Sequence, residues 1–155
     1  MYRWWVLVHV VGAFLFVGAH GASAFVSFRV RHERDPKTVG ALLQVSLASV
    51  KLAYLGLLVL LVAGIVAGFQ IQAWSRGWIW TALAILVLTS VFMYAVATTY
   101  YRKVRTVTEA LVTGSEAVTP EQYAEVLSSR RPHLLAVVGL VALLVILWLM
   151  LLKPF

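Results

Sequence analysis

The sequence predicts an all-α integral membrane protein, a four-helix transmembrane bundle that forms one domain over residues 1–155. Composition is the first observation, because 62% of the residues are hydrophobic and only 12% are charged, whereas a soluble domain is close to half apolar. Second, four apolar runs each reach the roughly 20 residues that a helix needs to cross the hydrocarbon. Third, arginine and lysine collect in two of the connections, which predicts that both termini lie on the outer (periplasmic or extracellular) side.

The four apolar runs give the spans in order. The first contains no formally charged residue, and it is too long for the apolar part of a signal peptide, although Met1-Tyr2-Arg3 and Ala22-Ser23-Ala24 imitate one. We therefore expect a retained first helix. The predicted spans are 4–28, 42–69, 78–101 and 134–152.

Turn and capping residues mark the connections. Asp35-Pro36 is a turn signal between the first two spans, and the second connection is short and polar. In the third and longest connection, Thr119-Pro120-Glu121-Gln122 supplies an N-cap, a proline at the first helical position and a capping-box glutamine. This pattern predicts a short surface helix over residues 120–130, on or beside the inner face of the bilayer.

The distribution of charge sets the predicted orientation and location. Nine arginines and lysines lie in the first and third connections, against three on the opposite side, and all six tryptophans fall near the sparsely charged side. Basic residues favour the cytoplasmic side and indoles favour the head-group layer, so we expect a multi-pass protein of the bacterial inner membrane with both termini outside. The net charge of +7 is explained by basic residues at the ends of the apolar runs, which set topology or contact anionic lipid head groups. We therefore expect the lipid bilayer, and no nucleic acid, as partner.

The chain lacks the residues of several kinds of chemistry. Without cysteine it has no disulfide, thiolate zinc site, iron–sulfur cluster or cysteine nucleophile. The six acids lie in the connections, and no acid pair, nucleophile elbow or phosphate loop is present. These absences disfavour a hydrolase. If the protein is an enzyme, we expect a haem-dependent membrane oxidoreductase, because a cofactor brings its own chemistry. The acids are Glu33, Asp35, Glu109, Glu116, Glu121 and Glu125.

Two histidines interrupt the first span. His9 and His20 are eleven residues apart, so a helix places them within roughly 20° of one another and about 16 Å apart along one face. That face is small and weakly polar, which indicates the side that meets the bundle. Its other members are Gly12, Ala13, Phe16, Ser23, Ala24 and Ser27. In the second span, Gly64 and Gly68 form a GxxxG pair that predicts tight helix packing.

Depth along the spans suggests neighbours for His20. Counted from the tryptophan-rich side at about 1.5 Å per residue, Lys51 and Met93 reach a similar inner layer, with Tyr94 beside Met93. Lys51 has two interpretations, a functional group inside the membrane or a side chain that snorkels to the inner interface.

Aligned imidazoles in an apolar bundle are typical haem ligands. We therefore predict a b-type haem protein that acts in electron transfer or haem handling, with His9 and His20 as iron ligands and Lys51 and Met93 beside the cofactor. The sequence offers single-histidine or His/Met ligation but no clear bis-histidine pair. Such a role would require other membrane redox proteins or a quinone as partners, and a homo-oligomer is left open.

Other interpretations of the same residues stay open. His20 and Lys51 could line a polar path in a small transporter or channel-like protein, or the histidines could handle a metal, although copper or zinc would need three or four convergent donors. Each histidine could instead hydrogen-bond a neighbouring helix. In that case the chain could be a non-catalytic assembly subunit of a larger membrane complex.

A resemblance adds to this interpretation. It rests on residues 7–18, LVHVVGAFLFVG, and on residues 149–154, LMLLKP. These segments resemble the opening and closing helices of small bacterial predicted integral membrane proteins of unknown function, the DUF2269-like group. More distantly, the opening helix resembles that of copper-resistance-D-like proteins and of the haem-dependent membrane protoporphyrinogen oxidase. That resemblance implies a haem-ligand role for His9, and His20 departs from the pattern.

Overall fold

A computed structural model describes residues 1–115 and 118–155. Within these ranges the chain is helical, with no strand, and four of its helices are long and apolar enough to cross a membrane. Glu116, one of the six acids in the connections, lies outside the described residues. The helices are α1 (Tyr2–His32), α2 (Pro36–Gln70), α3 (Gly77–Val112), α4 (Pro120–Leu127) and α5 (Arg131–Leu152), with a single 3₁₀ turn at Ala73–Ser75.

The helices alternate in direction, so both termini lie at the end of the bundle that carries the tryptophans. We call this the tryptophan end and the opposite one the basic end. At the tryptophan end, the backbone N–H of Trp78 donates to the carbonyl of Phe155 at 3.2 Å. The rings of Trp74 and Trp80 lie 5.4 Å apart. This end has its own buried cluster, formed by Ala73, Trp78, Ile79, Ala82 and Leu149.

Three of the spanning helices are longer than the sequence predicts. From the tryptophan layer, a hydrocarbon thickness of about 30 Å uses up roughly 20 residues, whereas α2 has 35 residues and α3 has 36. The surplus turns of α1, α2 and α3 therefore extend from the basic end. They continue as helices because their apolar residues pack on each other, as Val30, Val39 and Val104 do with no exposed surface.

A short helix is present where the sequence predicts one, as α4, with the Thr119–Gln122 capping box and Pro120 in the first turn, and it ends at Leu127. Its position is more specific than the sequence indicates. Tyr123 and Leu127 are buried in the same cluster as Val30 and Val104, so α4 packs against the extended helices at the basic end. The largest buried cluster of the described chain thus lies at the basic end. Its members are Val26, Val30, Val39, Leu43, Tyr100, Val104, Tyr123 and Leu127.

The middle of the bundle is built differently, from small residues. Helices α1 and α2 pack most extensively, and α3 with α5 next, with fewer contacts between these two pairs. At the crossing of α1 and α2, Gly12 and Gly56 are buried, and a Cβ on either would lie 2.6 Å from a main-chain nitrogen of the other helix. By contrast, α1 and α3 bring no pair of described Cα atoms within 8 Å. Side chains alone cross between them.

Candidate functional site

The predicted bundle-facing side of α1 is confirmed. Gly12, Ser23 and Ser27 on this face are buried, and both histidines are partly buried. The residues that the helical plot puts off the face are exposed, with Leu7 at 50% and Phe14 at 76% of their accessible surface. Since the helices diverge away from the Gly12–Gly56 crossing, the two histidines meet different neighbours.

His9 contacts α2. Its Nδ1 lies 2.7 Å from the carbonyl oxygen of Leu60. A carbonyl only accepts, so Nδ1 carries the proton, and in the neutral ring Nε2 keeps a free lone pair. Gly64 makes the approach possible, because a Cβ there would lie 2.8 Å from His9 Nδ1 and 2.9 Å from Cε1.

The predicted GxxxG pair therefore packs against rings. Gly64 accommodates the imidazole of His9, and Gly68 faces the indole of Trp74, whose Nε1 would lie 3.2 Å from a Cβ. The closest backbone approach of α1 and α2 is instead at Gly12 and Gly56. Spacing alone indicates close packing but does not tell whether a backbone or a ring fills the space.

His20 lies where three helices converge. Its ring stacks on Phe16, with centroids 5.9 Å apart. A Cβ at Gly139 of α5 would lie 3.8 Å from His20 Nε2, 3.7 Å from the sulfur of Met93 and 3.0 Å from the Met93 methyl. The imidazole of α1 and the thioether of α3 thus approach one point on α5, which we call the Gly139 junction. The described part of the chain gives His20 no hydrogen bond.

Lys51 and Tyr94 do not join this junction. Both side chains are exposed, Tyr94 to 64%, on the outer faces of α2 and α3. The face of α2 that packs on α1 carries Ala53 and Gly56, and Lys51 is about 140° around the helix from Gly56. Lys51 lies at about the same depth as His20, but its side chain is on the outer face of α2 and does not approach His20.

Below the Gly139 junction, toward the basic end, α1 makes one polar contact with each of the other spanning helices. Ser23 Oγ lies 2.8 Å from Ser46 Oγ of α2, and Ser27 Oγ hydrogen-bonds Tyr101 of α3. Both serines are buried. At the basic end Arg31 Nη1 lies 3.2 Å from His133 Nδ1 of α5, and the His133 ring packs on Phe28 with centroids 4.8 Å apart.

A classical metal site is not found among the described residues, where no three His, Cys, Asp or Glu side chains come together. The donors that do converge are one imidazole and one thioether, at the Gly139 junction. Two donors are too few for a zinc site, which needs three or four protein ligands. An imidazole and a thioether are, however, a known ligand pair for haem iron.

A family model for predicted integral membrane proteins, DUF2269, matches residues 4–154. The chain belongs to this family. The family is described as one of predicted integral membrane proteins, in agreement with the four candidate spans. No curated protein and no solved structure matches the chain.

Proposed function

We propose that this DUF2269 protein binds haem b in the membrane and acts in electron transfer or haem handling. The observation that carries the proposal is the approach of His20 Nε2 and the Met93 sulfur to Gly139. Imidazole and thioether together are the axial ligands of one class of haem protein. When bound, the haem iron supplies one-electron redox chemistry, and a quinone or another membrane redox protein would be the exchange partner.

The chain's own residues suit such a group. His20 makes no hydrogen bond within the described ranges, so no bond has to be broken before its Nε2 binds iron. Gly139 lets both donors approach α5, because a Cβ there would lie 3.0 Å from the Met93 methyl and 3.8 Å from His20 Nε2. The Arg31 guanidinium, on the same side of α1 toward the basic end, offers donors to the carboxylates of a haem.

His9 supports a second site. Its Nδ1–H bond to the Leu60 carbonyl fixes the tautomer whose Nε2 can bind a metal, which is how iron- and zinc-binding histidines are usually held. The resemblance of the first helix to that of the haem-using oxidase, in which His9 is the matching position, supports the same role. We therefore retain His9 and His20 as the residues of α1 that would bind haem iron, with Met93 as a second donor near His20. Lys51, which the sequence put beside the cofactor, is not part of this ligand set.

The visible spectrum of the purified full chain tests the proposal. We expect a Soret band that shifts on dithionite reduction, from haem-replete cells or after titration with hemin. His20→Ala should lose at least half of the haem, and Met93→Leu, which keeps the volume, should bind haem but change its reduced spectrum. The matched control is His32→Ala, since His32 is exposed and bonds the carbonyl of Phe28 on its own helix. A colourless protein that takes up no hemin would overturn the proposal, as would equal spectra for His20→Ala and His32→Ala.

We also propose that the basic end faces the cytoplasm and that the membrane is the bacterial inner membrane, as the positive-inside rule indicates. The absence of cysteine allows a direct test. Ser75→Cys at the tryptophan end and Thr113→Cys at the basic end are both exposed positions. In intact cells an impermeant maleimide should label the first and not the second, and the reverse pattern would overturn the orientation.

A further inference from the structure

The basic end carries an open groove of about 400 Å³ between the start of α2 and the end of α3. Gly40 puts no side chain into this groove. A Cβ there would have open space around it, with the Thr108 methyl at 4.0 Å as its nearest atom. This contact also gives the register of the two helices, with Gly40 level with Thr108. The lining residues are Pro36, Lys37, Gly40, Ala41, Leu43, Gln44, Arg105, Thr108, Glu109, Val112 and Thr113.

Two cations, Arg105 and Lys37, line the groove, and Lys37 lies near enough to Asp35 for its charge to help lower the pKa of that carboxyl. Arg105 and Lys37 take part in no salt bridge among the described residues, and both are exposed. Among the described lining residues the acid is Glu109, which lies one helical turn further from the membrane than Arg105. Gln44 and Thr113 add polar groups. An anion at the Arg105 end of the groove would thus meet a free guanidinium.

The Arg105 end lies at the depth of lipid head groups. Arg102 is the first charged residue of α3, and Arg105 follows it by three residues, or about 4.5 Å. The head-group layer extends roughly 5–7 Å beyond the hydrocarbon. A phospholipid at the bilayer edge can therefore reach Arg105, whereas Lys37, three residues before Gly40, lies about 9 Å further out and beyond the head-group layer.

We propose that this groove binds the head group of an anionic glycerophospholipid. Arg105 holds the phosphate, as the fork of a guanidinium suits two phosphate oxygens. The polar remainder of the head group extends along the groove to Gly40, and the acyl chains stay in the bilayer. This site is separate from the Gly139 junction and does not depend on haem.

Native mass spectrometry of the full chain, released from nanodiscs of phosphatidylglycerol and phosphatidylcholine, tests the site. We expect one phosphatidylglycerol to be retained by the wild type, and Arg105→Gln to weaken retention about tenfold, as loss of a charged hydrogen bond does. Arg102→Gln removes the same charge outside the groove and should retain the lipid. Gly40→Leu should lose it with all charges intact, and Gly18→Leu, at a position with open space around it, should not.

Three results would overturn the proposal. Equal losses for Arg102→Gln and Arg105→Gln would mean a diffuse basic surface, and full retention by Gly40→Leu would mean that the groove is not the site. If millimolar inorganic phosphate displaces the lipid, or binds lipid-free protein in a manner that depends on Arg105, the ligand is a free anion. Each readout is mass-based and unaffected by whether the protein carries haem.

Discussion

Gly12 and Gly56 pack backbone on backbone where α1 crosses α2. A Cβ on Gly12 would lie 2.6 Å from the main-chain nitrogen of Leu60, and a Cβ on Gly56 would lie 2.6 Å from that of Phe16. The two contacts are reciprocal. Both are with main-chain atoms, so neither can be relieved by turning a side chain.

Alanine at this crossing should therefore destabilise the protein. We expect Gly12→Ala and Gly56→Ala each to cost about 1–3 kcal/mol, since the helices must separate to admit a methyl group. Gly18→Ala is the control, because its Cβ would meet no atom within 4 Å, and it should be neutral or up to about 1 kcal/mol stabilising. Unfolding in mixed micelles measures all three, and equal stabilities would contradict the backbone contact.

The fit of His9 against Gly64 predicts a change in the hydrogen bonding of the ring. Gly64→Ala places a methyl group where the imidazole now lies, so the ring should move and lose its bond to the Leu60 carbonyl. ¹⁵N-histidine NMR should show the proton on Nδ1 of His9 hydrogen-bonded in the wild type, and this signature should weaken or disappear in the variant. Gly21→Ala, at a position without atoms within 4 Å, should leave the His9 signals unchanged. An unaltered His9 in Gly64→Ala would refute the assigned contact.

The Ser23–Ser46 hydrogen bond should appear in a double-mutant cycle. Each single alanine leaves the other hydroxyl buried without its partner, so we expect a loss of about 1–2 kcal/mol. The double variant should lose little more than either single one, which corresponds to a coupling of about 1–2 kcal/mol. Ser49→Ala is the matched control, because Ser49 bonds the Val45 carbonyl within α2. Strict additivity would show that the two serines do not interact.

The basic-end cluster should contribute strongly to stability. Leu127 of α4 is fully buried, so Leu127→Ala should cost about 2–5 kcal/mol through lost burial and the cavity left behind. Leu144→Ala removes the same atoms from a side chain that is 55% exposed and should stay within about 0.5 kcal/mol. Limited proteolysis should cut the third connection of Leu127→Ala first. Equal resistance of both variants would mean that α4 does not secure this end.

Asp35 gives the turn between α1 and α2 a defined pH dependence. Its carboxylate accepts from the side chain and backbone of Thr38 and from the backbone of Lys37, and these bonds hold its pKa below the ordinary 3.8. Because the folded state favours the charged form, the stabilisation is complete above that ordinary pKa and disappears as the pH falls through the lowered pKa.

Hydrogen exchange at the start of α2 checks this effect. In the wild type the amides of Lys37 and Thr38 should lose protection on acidification, while in Asp35→Asn they should exchange faster at neutral pH and respond less to acid. Glu125→Gln, an exposed acid without a capping bond, should behave as the wild type. Protection that does not change with pH in the wild type would count against the cap.

The sequence was sufficient for the spans and for α4, because length, hydropathy and a capping box are local properties. It missed the extension of α1, α2 and α3, since valines such as Val30 and Val104 stand among charged residues and are buried only when α4 covers them. At the site, depth correctly associated Met93 with His20. Depth also placed Lys51 beside His20, because residue counts along a helix give the depth of a residue in the membrane but not the face of the helix that meets a neighbour. Gly139 carried no signal of its own.

The two histidines also differ in the stage of synthesis at which their surroundings are complete. His9 needs only α2, the next helix to leave the ribosome, so its bond to Leu60 can form within the first hairpin. His20 needs Met93 of α3 and Gly139 of α5, and α5 follows α1, α2 and α3 in the chain. A chain that ends before α5 would keep the arrangement around His9 and leave the side of His20 open. The Gly139 junction can therefore form only after α5 has been synthesised, whereas the His9 contact can form earlier.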